Sequence, residues 1–215
     1  MALPTSNFKN MFLALFAVTF VASAILGVAN EATKTAIAKA DLKQQDVAIA
    51  AILPPFAFLG NSYKLLPPEE TDSLQFFPAF ANDSTPIGTA VKSYSKKGFS
   101  GLITVMVGFT ADGNISGFKI LDHKETPGLG SRMALWFSDK TKSKQYVIGT
   151  NPEITNLTVV KDGGSIDAIT AATISSRAFL ESVRRAYKAW KIDASSNITV
   201  SKPVKVEPVT KGGTQ

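Results

Sequence analysis

The 215-residue chain has no cysteine and a single histidine, His123. Without a thiolate, this chain alone supports no iron–sulfur cluster and no thiol catalysis. A multi-histidine zinc site or a Ser-His-Asp triad would have to use His123. No G-x-S-x-G sequence surrounds Ser175 or Thr173, so a hydrolase is weakly supported. The lack of thiols is compatible with an oxidising compartment. Charged residues make up 19% and hydrophobic residues 45%, close to a globular average and far from disorder. The lysines behind the net charge of +6 are spread along the chain, so the charge does not point to nucleic acid. The length allows one ordinary domain with an anchor or tail.

Charge is missing altogether from Met11 to Ala29, between Lys9 and Glu31. At roughly 1.5 Å per residue this run spans a hydrocarbon core of about 30 Å. A buried core helix is disfavoured because the run is apolar all round. The triplet Ala22-Ser23-Ala24 resembles a signal-peptidase site, but the apolar run continues through Ile25, Leu26 and Val28. Residues 1–30 are therefore expected to form an uncleaved transmembrane helix. Lys9 precedes it and Lys34, Lys39 and Lys43 follow it, so counting positive charge leaves the orientation open.

Glycine and proline are absent from residues 31–53, which are alanine-rich and predicted helical. Ile37, Leu42, Ile49 and Leu53 supply an apolar side, and Pro54-Pro55 stops the helix. Residues 54–88 mix prolines with Phe56, Phe58, Phe76, Phe77 and Phe80. That composition predicts an irregular but packed connection rather than a solvated linker. Further on, Ile103, Val105, Val107 and Phe109 alternate with Thr104, Met106 and Gly108, a strand period. Asp112-Gly113 supplies a hairpin turn into a second strand, Ile115 to Leu121. Short apolar runs at Tyr146–Ile148 and Leu157–Val160 read as further strands. In residues 174–190, Phe179, Leu180, Val183, Tyr187 and Trp190 share one helical face. Beyond Asp193 the chain reads as a polar tail.

Two short motifs carry chemistry. The first, Asp167-Ala168-Ile169-Thr170-Ala171-Ala172-Thr173, crowds hydroxyls where a helix begins. Ordinary N-capping accounts for such residues. A helix N-terminus is also a ready anion site, with free N–H groups and a favourable dipole. The second, His123-Lys124-Glu125-Thr126-Pro127-Gly128-Leu129-Gly130, reads either as a surface turn or as a loop whose glycines admit a flat ligand. The lone His123, beside Lys124 and Glu125, reads as a solvated loop residue.

Taken together, the stretch from Tyr94 to Gly130 and the later DAITAATISSRAF resemble the FMN-binding domain of the RnfG and NqrC electron-transport subunits. The resemblance covers residues 88–190 and is closer to the RnfG type. It implies an α+β fold, an FMN-binding domain with antiparallel strands and packing helices, preceded by one N-terminal transmembrane helix. The domain is expected over residues 88–192, after an anchor at 1–30 and a connection at 31–87, and before a tail at 193–215.

In that family a flavin transferase reads Asp-x-x-Ser/Thr-Gly-Ala-Ser/Thr and moves FMN from FAD onto the last hydroxyl. The last hydroxyl maps to Thr173, and Asp167 and Thr170 match the other recognised positions. Ala171 stands where the pattern has glycine, which is unfavourable if that backbone needs positive φ. The resemblance also implies that Glu125, Thr126, Leu129 and Gly130 contact the flavin ring. It implies partner subunits of an Rnf-type ferredoxin:NAD oxidoreductase and a soluble domain on the periplasmic or extracellular side of the cell membrane. The alternatives are a membrane-tethered scaffold without redox role and the NqrC-type subunit of the Na⁺-translocating NADH:quinone oxidoreductase.

Overall fold

The computed structural model describes residues 7–67 and 72–195, which divide into two compact units between Gln44 and Gln45. Helix α1 covers Phe8–Ile52 without a break. No glycine or proline interrupts it after Gly27, so nothing local stops it where the apolar run ends. In the first unit every described residue of α1 is exposed, including Leu13, Leu15, Phe16 and Phe20. Among the described residues α1 is the helix long and apolar enough to cross a membrane.

The second unit is built on a six-stranded antiparallel sheet, β1 (Phe58–Leu59), β2 (Tyr63–Leu65), β3 (Leu74–Phe80), β4 (Pro86–Gly98), β5 (Gly101–Thr110) and β6 (Ile115–His123). Its order is β1-β3-β4-β5-β6, with β2 also paired to β3. The β5–β6 hairpin stands where the alternation and Asp112-Gly113 place it. Gly113 adopts φ +79° in the turn, and its missing Cβ leaves room for the Trp190 ring.

After the short helix α2 (Met133–Phe137), helix α3 (Thr173–Ser195) lies across β4 and β5, and Ile103, Val105, Val107 and Phe109 face it. Phe179 is fully buried there, stacked on Phe137 at 4.4 Å and edge-on to Phe118 at 4.8 Å between ring centroids. Leu180, Val183 and Tyr187 are buried on the same face, and Trp190 packs against it half-buried. Burial of each such side chain contributes about 1.5–3 kcal/mol.

The opposite sheet face receives the last turns of α1. Ala48, Ile49, Ile52 and Leu53 pack on Phe77, Ala79, Ala90 and Met106. Gly108 and Gly117 are cross-strand partners, and a Cβ on Gly117 would stand 2.9 Å from the Ile52 Cα. The Ser116 hydroxyl donates to the Ile52 carbonyl at 2.7 Å, satisfying one terminal acceptor of the helix.

Four sequence expectations need correction. Ile37 and Leu42 do not join the packed side of α1; they are exposed, whereas Ile49 and Leu53 are buried. Residues 54–87 are not an irregular connection, because β1, β2 and β3 belong to the same sheet as β4, so no boundary falls at residue 88. The runs at Tyr146–Ile148 and Leu157–Val160 are not strands. Each lodges isolated side chains, Val147 or Leu157 and Val159, in the core. Their backbones bond elsewhere, Val147 N–H to the Phe137 carbonyl and Val160 N–H to that of Ile166. The helix also runs past Asp193 to Ser195, and the rest of the expected tail lies outside the described residues.

Candidate functional site

The Asp167–Thr173 segment is a turn fixed by its backbone. Asp167 N–H donates to the Lys144 carbonyl at 2.7 Å, and the Asp167 carbonyl accepts from Trp136 Nε1 at 2.9 Å. Ile169 N–H donates to Ser176 Oγ, which itself donates to the Ala172 carbonyl, both at 2.9 Å. Ile169 and Ala172 point into the core, whereas Thr170 is exposed and Asp167 and Thr173 are half-exposed. The inward pair anchors the turn and leaves the three polar side chains accessible together.

Ala171 has φ +62°. The left-handed region costs an L-residue about 1–2 kcal/mol, and glycine avoids that cost. The structure thus gives the physical reason for glycine in the pattern, and this chain carries the strain instead. Ala171→Gly should raise stability by about 1 kcal/mol, after the larger unfolded-state entropy of glycine offsets part of the relief. A urea titration checks this; a fall in midpoint would mean that the alanine is unstrained.

Helix α3 begins at Thr173, and its cap position belongs to Ala172, whose carbonyl accepts Ser176 N–H at 3.0 Å. The expected hydroxyl capping is not what the hydroxyls do. Ser176 ties the turn together, and Ser175 donates to Glu125 Oε2 at 2.5 Å. The amides of Thr173, Ile174 and Ser175 meet no protein acceptor among the described residues. With the helix dipole, they suit an anion at the Thr173 hydroxyl.

Thr173 borders two clefts. One, of about 300 Å³, is formed by Glu125, Thr126, Leu129, Gly130, Phe99 and residues 171–175. The other, of about 490 Å³, lies across the turn and is bordered by Trp136, Lys161, Asp167 and Thr170. The first brings both sequence motifs together. Its exposed apolar side chains, Phe99, Leu129 and Ile174, offer a surface for a flat aromatic group. Sequence reasoning missed Phe99 and Ile174. The available signal was a phenylalanine at a Gly98–Gly101 hairpin tip, where burial cannot explain it.

Gly130 packs directly on Glu125 and Ser175, so a side chain there would displace the loop from α3. His123 does not border either cleft; its Nδ1 accepts the Glu125 N–H at 3.2 Å. Arg177 makes a two-pronged contact with Asp162, both bonds 2.7 Å, which ties the preceding loop to α3. That bond holds the Asp162 carboxyl below its ordinary value. Its contribution is therefore present above the usual carboxylate range and is lost as pH falls through the lowered value.

Residues 98–188, which hold β5, β6 and most of α3, match the FMN-binding domain family. Phosphate and a flat ring meet what the site offers: first-turn amides beside Thr173 and an apolar rim. The chain is 32% identical over 196 residues to the G subunit of the ion-translocating oxidoreductase complex of Salmonella typhi, covering 86% of this chain and 90% of that protein. It is 32% identical over 183 residues to the protein of the same name from Vibrio atlanticus, covering 83% and 87%. A crystal structure of Shewanella oneidensis NqrC aligns with a TM-score of 0.39 at 20% identity, covering 59% of this chain and 62% of that one. The chain belongs to the family of G subunits of ion-translocating oxidoreductase complexes, the RnfG family.

Proposed function

We propose that this chain carries FMN in phosphoester linkage to Thr173 and relays electrons as a membrane-anchored subunit of an Rnf-type ion-translocating ferredoxin:NAD oxidoreductase. One observation carries the reading. Thr173 stands where the accessible motif turn, the uncapped first turn of α3 and the apolar-rimmed cleft meet. FMN supplies one- and two-electron redox chemistry when bound. The chain's own residues hold and shield it. The amides of residues 173–175 and the dipole of α3 receive the phosphate, while Leu129, Phe99 and Ile174 cover the ring and keep water from it. Asp167, Thr170 and Thr173 form the face read by a flavin transferase, which joins the FMN phosphate to the Thr173 oxygen as the pyrophosphate bond of FAD breaks, releasing AMP and the hydroxyl proton.

The uncharged part of α1 spans the cell membrane, and the domain that follows lies on the periplasmic or extracellular side. A tether suits that side, where lost cofactor could not be replenished. One experiment tests both parts of the proposal. Cells making the chain with its transferase should give a flavin-fluorescent band on a denaturing gel. Protease added after permeabilising only the outer envelope should remove that band. A dark band would reduce the chain to a membrane-tethered scaffold, and a band protected until the inner membrane is lysed would reverse the topology.

A further inference from the structure

Glu125 is the one formally charged side chain bordering the cleft formed with Phe99, Leu129 and Gly130. It is 5% exposed. Its two oxygens accept Ser100 N–H at 3.0 Å and Ser175 O–H at 2.5 Å. Two glycines make the nest, since a Cβ on Gly98 would stand 2.6 Å from Oε1 and one on Gly130 would stand 2.7 Å from Oε2. Lys97 pairs with Glu181 at 2.9 Å and Arg177 with Asp162 at 2.7 Å, and neither Lys124 nor Arg132, the cations nearest Glu125 and Gly130 in sequence, borders the cleft. Among the described residues no ion pair includes Glu125. Its compensation comes from two hydrogen bonds and the N-terminal end of α3.

We infer that Glu125 sets the reduction potential of the cofactor, its nested negative charge holding FMN on Thr173 at a lower potential than the cleft would otherwise impose. The inference rests on the placement of FMN proposed above. Two-electron reduction with uptake of one proton leaves the flavin with one additional negative charge. The electrons come from one-electron carriers of the complex, and the proton comes from solvent. A fixed anion at the wall of a partly desolvated cleft opposes that charge, and no cation in the cleft offsets it. The arrangement favours giving electrons up over keeping them. Glu125 is a positioning and electrostatic residue rather than a carrier of electrons.

Glu125→Gln in the flavin-loaded chain is the test, read as the midpoint potential in a dithionite titration against reference dyes. Glutamine fits the same nest: its oxygen still accepts Ser100 N–H, and its amide donates to Ser175 Oγ once that hydroxyl turns. The ratio of reduced to oxidised flavin at a fixed potential should rise about tenfold, the scale of one charge at short range in a partly buried site. An unchanged or lower midpoint at equal flavin content overturns the inference. Ser175→Ala provides a second arm, because it keeps the charge and removes a hydrogen bond that disperses it. Its midpoint should move down, and an upward or null shift counts against the inference. A wild-type chain without covalent flavin overturns the placement itself, a failure distinguishable from a loaded chain whose potential ignores Glu125.

Discussion

Replacing Thr173 with valine should remove all flavin fluorescence from the denatured chain while leaving its thermal unfolding nearly unchanged. The substitution deletes one hydroxyl and keeps the branched shape. Thr173 is half-exposed and its hydroxyl makes no hydrogen bond within the described residues, so the folding cost should stay within about 0.5 kcal/mol. The turn is held without it, by Ser176 Oγ, Trp136 Nε1 and the buried Ile169 and Ala172. In the complex, the variant should assemble through α1 and an intact domain yet lose ferredoxin-linked NAD reduction and ion transport. Subunit content and turnover of the purified complex measure the two separately. Near-normal turnover without flavin would make the chain a scaffold.

Phe179→Ala should do the reverse, damaging stability far more than the chemistry of the acceptor. Its ring is fully buried between Phe137 and Phe118, where α3 crosses the sheet. Truncation should cost about 3–5 kcal/mol through lost burial and the cavity left behind. At roughly 2–4 °C per kcal/mol for a domain of this size, a fall in Tm of about 6–20 °C is expected by circular dichroism. Flavin attachment should then fall with the folded fraction, because α3 carries Thr173 at its first residue. A loss below about 1 kcal/mol would show that α3 is not seated by this ring.

The β5–β6 hairpin and the apolar face of α3 were legible because each buries one side of a regular element, which leaves a period of 2 or 3.6 in the sequence. Strand β3 left no such trace. Five of its last residues in a row, Phe76 to Phe80, are buried, since the end of α1 covers one face and the main core the other. Pro78 adds a false break. Its missing N–H is tolerated while its carbonyl still accepts Gly60 N–H. Val147 and Val159 misled in the opposite sense: apolar side chains plugging a core from loops look like strands when their neighbours are unseen.

At the site, both motifs could be read from local pattern, and the resemblance pointed to the positive-φ requirement at Ala171. The nest around Glu125 could not be read. It needs Gly98 and Ser100, Gly130, and Ser175 from three separate stretches, brought together only by the β4–β5 turn, the loop after β6 and α3. The partners of Ser175 and Ser176 were hidden for the same reason, because they are Glu125 and the turn backbone at Ile169, which local spacing does not reveal.

The central claim is the bond at Thr173. Trypsin should release residues 162–177 as one peptide, between Lys161 and Arg177, holding Thr170, Thr173, Ser175 and Ser176 together. Fragmentation mass spectrometry of that peptide from chain made with its flavin transferase should place FMN as a phosphoester on Thr173 alone. An unmodified peptide, or FMN on Thr170 or on any of Ser165, Ser175 and Ser176, would contradict the account.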